Sequence, residues 1–420
     1  MFNITIFLLR NQMPETLYDK EVLKNAEKTL LKYPVCDYCL GRIFSKIENG
    51  ITNRERGRKI RDFIKKQETR VDDCWLCSGL MGEIPHFACL IEASLKEYEY
   101  DTFLVGSIID EEILEREKEL LEYVGSLYAE SIKTEVNREV GKILEKKLGK
   151  KVDFEKPVIM AVVDTVFDVV DLQIASLLIY GRYRKYSRDI PQTKWFCRVC
   201  RGKGCKKCSY TGKLYPTSVE ELIAEKILEA TGGSDESFHG CGREDIDARM
   251  LGNGRPFVLE IKNPKVRSIN LSEIKRKINA KNKGLIEVTV LRFSNWDEVI
   301  RIKNSSFNKV YRVVLKCEKP INREKLKKAV QALRDLKIKQ FTPSRVAHRR
   351  ANIVREKRIY DYEIESVDGD TAVLRLESES GTYIKELVSG DNGRTTPSIS
   401  EIIDVPCEVI ELDVIEIKGE

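Results

Sequence analysis

At 420 residues, with 42% of them apolar, the chain is longer than one domain usually is and has material for two or three cores. No run approaches the roughly 20 apolar residues of a membrane helix, and the N-terminal MFNITIFLLR is short and lacks a small-residue cleavage site, so we expect a cytoplasmic protein and no membrane partner. The net charge of +6, from 73 basic and 67 acidic residues, says little by its size; its distribution says more.

In chain order, residues 14–80 read as a helical segment around two cysteine pairs, Cys36 and Cys39 in YPVCDYCLGRIF and Cys74 and Cys77 in DDCWLCSGL. Twelve cysteines in a small secreted chain would suggest a disulfide framework. Here eight of them fall in CxxC pairs within a large chain, which favours metal. Each pair can reach a tetrahedral Zn(II) from one tight turn. Four buried free thiols are the alternative.

Residues 80–190 alternate helical stretches, 111–123 and 131–148, with the apolar strands VIMAVVD (158–164) and VVDLQIASLLIY (169–180), an α/β pattern. From Gly181 to Lys213 eleven Lys or Arg stand against one acid, Asp189, with Tyr183, Tyr186 and Trp195 interleaved. Cations neutralise phosphates and aromatic faces stack on bases, so Arg182, Arg184, Lys185 and Arg188 are candidate nucleic-acid contacts. A solvated linker is the bland alternative, against which the aromatics and cysteines argue for order.

Residues 191–215 form a basic, cysteine-rich neck. Its pairs Cys197/Cys200 and Cys205/Cys208 are separated by four residues, and Gly202 and Gly204 permit the sharp turn that one zinc would require.

The last unit, 216–420, opens with Thr217 and Glu220 spaced as a capping box ahead of a helical pattern. Strands are expected at 256–261, 285–291, 310–315, 358–364, 371–377 and 407–417, with a helix at 323–336. That makes an α+β domain with a largely antiparallel sheet. TGGSDES (231–237) looks like a pyrophosphate loop, but it follows a helical run and reads as a glycine helix stop.

The loop HGCGREDIDARMLGNGRPF (239–257) sets Arg243, Glu244, Asp245 and Asp247 on a glycine-rich connection. A carboxylate near fixed cations stays ionised, which suits a nucleophile and not a general acid. The spacing alone also fits a surface ion-pair network.

GRED resembles the G-R-T-D or R-L-D element that carries the catalytic aspartate of pseudouridine synthases. KVYRVVL (309–315) is similar to their K-x-Y strand, and SESGTYIKEL (378–387) to their S-x-G-T-Y-I-R motif. With YGRYRKYSRDIPQTKWFC, the CxxC pairs and QFTPSRVAHRRA (340–351), the chain from about Tyr33 onward resembles the archaeal tRNA pseudouridine synthase family numbered ten. That family carries a THUMP-type RNA-binding region before its catalytic domain and isomerises uridines 54 and 55 in the TΨC arm of tRNA.

The resemblance implies a pseudouridine synthase catalytic domain preceded by a zinc-containing THUMP-type region. It makes Asp245 the nucleophile, Tyr311 the base-stacking tyrosine, and Tyr383 with Ile384 part of the pocket. Lys385 takes the place of the arginine that pairs with the catalytic carboxylate in several relatives, where an ammonium cannot form a bidentate fork. Arg243 helps hold the loop and substrate, and Arg345, Arg349 and Arg350 contact RNA. The partner is tRNA, the metal is structural Zn(II), no organic cofactor is needed, and a monomer without an obligate protein partner suffices.

The aspartate can act on the ribose C1′, promote glycal formation or add to the base. Two rivals remain: a zinc protein that binds structured RNA without catalysis, which has no use for Asp245, and a THUMP-bearing methyltransferase or thiolase, whose glycine-rich cofactor loop we do not find.

Overall fold

The computed structural model of the protein describes residues 16–349 and 351–419. MFNITIFLLR and Arg350 lie outside them, and of Arg349 only the backbone is described. The described residues form two compact units that divide between Ala175 and Ser176.

The first unit runs α1 (Lys20–Lys32), α2 (Asp37–Ile43), α3 (Asn53–Phe63), α4 (Ile84–Leu95), β1 (Thr102–Ile108), α5 (Glu111–Val124), α6 (Ile132–Leu148), β2 (Lys151–Val152), β3 (Ile159–Asp164) and β4 (Val169–Ile174). Its sheet has the order β2-β1-β3-β4, with β1 parallel to β2 and β3 and only β4 reversed. Burial alternates along β1 and β3, so one face of each is covered.

Leu40 and Ile60 of the helical segment share one hydrophobic core with Phe103, Ile159 and Val140, so its described part and the sheet beyond it are one body, not two. Helices α2 and α3 touch through glycine. A Cβ on Gly41 would lie 1.8 Å from the Asn53 carbonyl oxygen, and only a residue without one permits that approach.

The second unit runs β5 (Leu177–Lys185), α7 (Val219–Thr231), β6 (Asp235–Gly240), β7 (Arg249–Lys262), α8 (Leu271–Lys281), β8 (Ile286–Phe293), α9 (Trp296–Asn304), β9 (Lys309–Cys317), α10 (Arg323–Asp335), β10 (Ile338–Phe341), β11 (Val354–Lys357), β12 (Ile359–Asp368), β13 (Thr371–Ser378), α11 (Ile384–Ser389), β14 (Thr395–Thr396), α12 (Ile399–Ile403) and β15 (Cys407–Ile417). The large sheet has the order β12-β13-β9-β15-β7-β5-β8, with β6 on β7. Every neighbour is antiparallel except β15 and β7, which makes the sheet mixed. A smaller sheet joins β11, β10 and β14.

Three expectations need correction. The apolar run 169–180 is two strands in different units. β4 is half-buried on alternate residues, whereas β5 lies between β7 and β8 and is buried along nearly all its length. Continuous hydrophobicity concealed the break at Ala175, so the second unit begins at 176 and the neck 191–215 is an excursion from it. The cap of α7 is Ser218, whose oxygen accepts from the Glu221 N–H, one residue beyond the expected pair. Gly232 ends that helix at φ +62°, as expected of a glycine stop. Cys317 and Cys407, register partners on β9 and β15, form a disulfide that the CxxC pattern did not signal. Among the described residues no helix is long and apolar enough to cross a membrane.

Candidate active site

β6 and β7 pair from Asp235↔Lys262 to Gly240↔Phe257, and residues 241–248 form the connection between them. Its fixation comes from beneath. Glu244 is buried in an ion pair with Arg255 (Oε2–Nε 2.8 Å) and accepts from the Tyr183 hydroxyl at 2.8 and 2.9 Å. Arg255 Nη1 donates to the Cys241 carbonyl at 2.7 Å, and Gln192 Nε2 donates to Gly242 at 3.0 Å. Lys185, 0% exposed, donates to the carbonyls of Ile190 (3.0 Å), Asp245 (3.3 Å) and Ile246 (2.8 Å). A buried ammonium without such acceptors would be too costly to keep charged, and burial does lower its pKa.

Above this platform a cleft of about 280 Å³ is lined by Asp245, Arg243, Tyr311, Tyr383, Ile384 and Lys385, together with Arg345 and Lys309. The three motifs, far apart in sequence, meet there because β9 lies between β13 and β15. Tyr311 faces Leu376 on one side and Val414 on the other. Burial pushes the Tyr311 hydroxyl up to about 12, so it stays protonated. Burial, then the Arg255 and Lys357 charges, lowers Lys309 to about 8. The Tyr383 backbone is held by buried Gln340, which accepts from its N–H at 2.9 Å and donates to its carbonyl at 3.0 Å.

Two ion pairs cross the cleft, and they correct the expected pairing. Arg345 Nη1 donates to Asp245 at 3.1 Å, while its Nε donates to Glu386 at 2.7 Å. Lys385 Nζ donates instead to Asp247, at 2.6 Å. The cation on Asp245 is therefore an arginine after all, supplied by the segment Ser344–Arg349 and held by the residue that follows Lys385. Burial opposes the Arg345 charge, but Glu386 and Asp245 together raise its pKa. Burial likewise opposes the Asp247 charge and is outweighed by Lys385, which leaves the carboxyl below its usual range. Asp245 keeps 33% of its side chain exposed, open to a ligand in the cleft.

Three more of the expected RNA contacts, Arg182, Arg184 and Arg188, are used internally. Arg182 donates to the carbonyls of Asn253 and Gly254, both at 2.9 Å, and Arg184 pairs with Glu287 at 3.1 Å. Arg188 reaches Asp413 at 2.7 Å and Glu411 at 3.0 Å. Sequence reasoning missed Glu244, Arg255, Glu386 and the loop-holding role of Lys185. The one available signal was the adjacency of Glu386 to Lys385; nothing marked the partners that the sheet assembles.

Both cysteine sets converge, the ligand sulfurs within each lying no more than 4.8 Å apart. Cys36 and Cys77 are 3.8 Å apart, as are Cys200 and Cys208, and Cys205 and Cys208 are 3.7 Å apart. Tetrahedral thiolates about 2.3 Å from zinc would sit about 3.8 Å from one another, so either set can hold such an ion. The N-terminal set is wholly buried, and Arg42 Nη2 donates to Cys39 Sγ at 3.5 Å, offsetting thiolate charge from outside the ligand set.

A glycine-rich loop thus carries an arginine-paired aspartate into one cleft with a strand tyrosine. The family model described as Pus10, C-terminal, matches residues 178–418, and that of the archaeal Pus10 THUMP domain matches 87–164. Among curated relatives named tRNA pseudouridine synthase Pus10, that of Methanothermobacter marburgensis is 44% identical over 91% of this chain and 95% of its own. Those of Methanocaldococcus jannaschii (43%; 92% and 93%) and Methanothrix thermoacetophila (40%; 95% and 95%) are similar. The chain belongs to the Pus10 family of tRNA pseudouridine synthases.

Proposed function

We propose that the protein isomerises uridine to pseudouridine in tRNA, at positions 54 and 55 of the TΨC arm, with Asp245 as the nucleophile. The observation that carries this reading is the convergence of all three motifs on one cleft around a carboxylate paired with Arg345. The reaction breaks an N-glycosidic bond, rotates the detached uracil and forms a carbon-carbon bond, so the site must hold the base throughout. Tyr311 supplies a flat support for a base flipped from the stack, and Tyr383 and Ile384 close the pocket around it. Arg345 pairs with the Asp245 carboxylate and orients it. No organic cofactor enters this chemistry.

Both cysteine sets hold Zn(II) in this reading, as a structural ion, and the protein works as a cytoplasmic monomer. Unmodified tRNA incubated with pure protein and read by carbodiimide-dependent primer extension should show stops at 54 and 55; a protein that binds the tRNA and leaves every uridine intact refutes the proposal. Metal analysis should find about two zinc ions per chain, one for each of the two sets of four.

A further inference from the structure

Beside the cleft runs a second groove of about 210 Å³, which shares Asp245, Arg243 and Arg345 with it and continues to Trp195 and Ile246. The uridine chemistry leaves this groove without a task. Trp195 is half-buried at the root of the neck, its carbonyl accepting from the Leu214 N–H at 2.8 Å and its ring meeting the edge of Tyr215 at 5.6 Å. The exposed Arg243 guanidinium lies over the same ring, 5.6 Å from its centre. The groove thus presents an aromatic face and a cationic plane together, the two surfaces on which unpaired RNA bases stack.

Beyond Trp195 the knuckle closed by Cys197 to Cys208 exposes Arg198, Arg201, Lys203, Lys206 and Lys207, together with Phe196 (59% exposed) and Tyr210 (70%). No acidic residue interrupts this stretch between Asp189 and Glu220.

We infer that the groove is a second nucleotide site, which stacks the base next to the target uridine on the Arg243 guanidinium that itself lies over Trp195, while the knuckle cations follow the phosphates away from it. This rests on the proposed function. Because Asp245 walls both spaces, the groove lies within reach of a nucleotide next to the one that fills the cleft. Flipping one base strips its neighbour of a stacking partner, and the groove replaces that partner.

The test is a binding cycle. Wild type and Trp195→Ala are titrated with unmodified tRNA and with tRNA made abasic at the nucleotide on either side of the target. Trp195→Ala should weaken binding to intact tRNA about 10-fold. The abasic site on one side should cost wild type a similar factor and cost Trp195→Ala nothing further. Trp195→Tyr should restore most of the affinity. Arg243→Ala, at an exposed position, repeats the cycle should Trp195→Ala fold poorly. Independent, multiplicative losses on both sides overturn the inference. If wild type isomerises uridine while the losses multiply, the groove alone is refuted; if it isomerises no uridine, the proposed function fails and takes the groove with it.

Discussion

Residues 182–188 and 198–207 belong to one basic stretch, yet the fold gives its two halves opposite surroundings. In the first half, β5 is a central strand, and its pairing with β7 and β8 brings carbonyls and carboxylates within reach of each cation. Lys185 ends with three carbonyl partners and Arg182 with two. In the second half, only the root residues are tied down, Lys194 to Glu236 and Lys213 to Glu221, and the cations between them face solvent. Charge density along a chain therefore reports composition, while the acceptors that strand pairing assembles decide whether a cation meets RNA or holds a loop.

The comparison has force only if the loop that Lys185 holds carries the reacting group. Asp245→Asn should lower pseudouridine formation by at least ~10³-fold with tRNA affinity nearly intact, because the charge is lost and the size kept. Asp247→Asn should retain appreciable activity, its partner being Lys385. A reversed ranking of these two variants would place the nucleophile two residues away.

Next in size is Lys185 itself. Lys185→Met fills the same volume but leaves three buried carbonyls without that donor, so stability should fall by about 1–3 kcal/mol. The rate at saturating tRNA should fall as well, since Asp245 is one of the residues released. Thermal melting and single-turnover kinetics read the two effects. A loss confined to tRNA affinity would mean that Lys185 contacts RNA and that the contrast between the two halves is wrong.

Arg345 tests the same distinction from across the cleft, since it was expected to bind RNA and instead joins Asp245 to Glu386. Arg345→Ala should cost about 10- to 100-fold in rate, the worth of a charge-assisted hydrogen bond, and should also destabilise the fold by leaving nearly buried Glu386 unpaired. Lys385→Ala should cost less. Were Lys385 the more damaging of the two, the position implied by the family resemblance would matter more than the pairing seen in the fold.

The longer strands β8, β9, β12, β13 and β15 were legible because their period-2 patterns are long and interrupted by turns; 407–417 matches β15 residue for residue. That Asp245, Tyr311 and Tyr383 line one cleft was anticipated for a different reason: the family resemblance grouped their three short strings before the fold did. What stayed hidden depends on pairing across the sheet. The join at Ala175 has the same apolar composition on both sides, and nothing local says that β5 leaves the first sheet. The Glu244–Arg255 pair, the Arg345–Asp245 pair and the disulfide of Cys317 with Cys407 each join residues whose partnership exists only once the strand order is known.

The smallest expected effect comes from the knuckle, and it separates the halves most cleanly. Arg201, Lys203 and Lys207 are exposed, so reversing them to Glu disturbs no buried partner and should leave the melting temperature within about a degree or two of wild type, as surface substitutions do. Their loss should appear in KM and not in kcat. Each phosphate contact removed should reduce the slope of log affinity against log salt by about one. The same measurement on Arg182→Gln predicts the opposite signature, a lower melting temperature with an unchanged salt slope, because that guanidinium already donates to the carbonyls of Asn253 and Gly254. If both variants changed the slope equally, the buried half would have to open to RNA on binding; if neither did, the knuckle would be a zinc-held loop without an RNA contact, and the cations leading away from Trp195 would have no phosphates to follow.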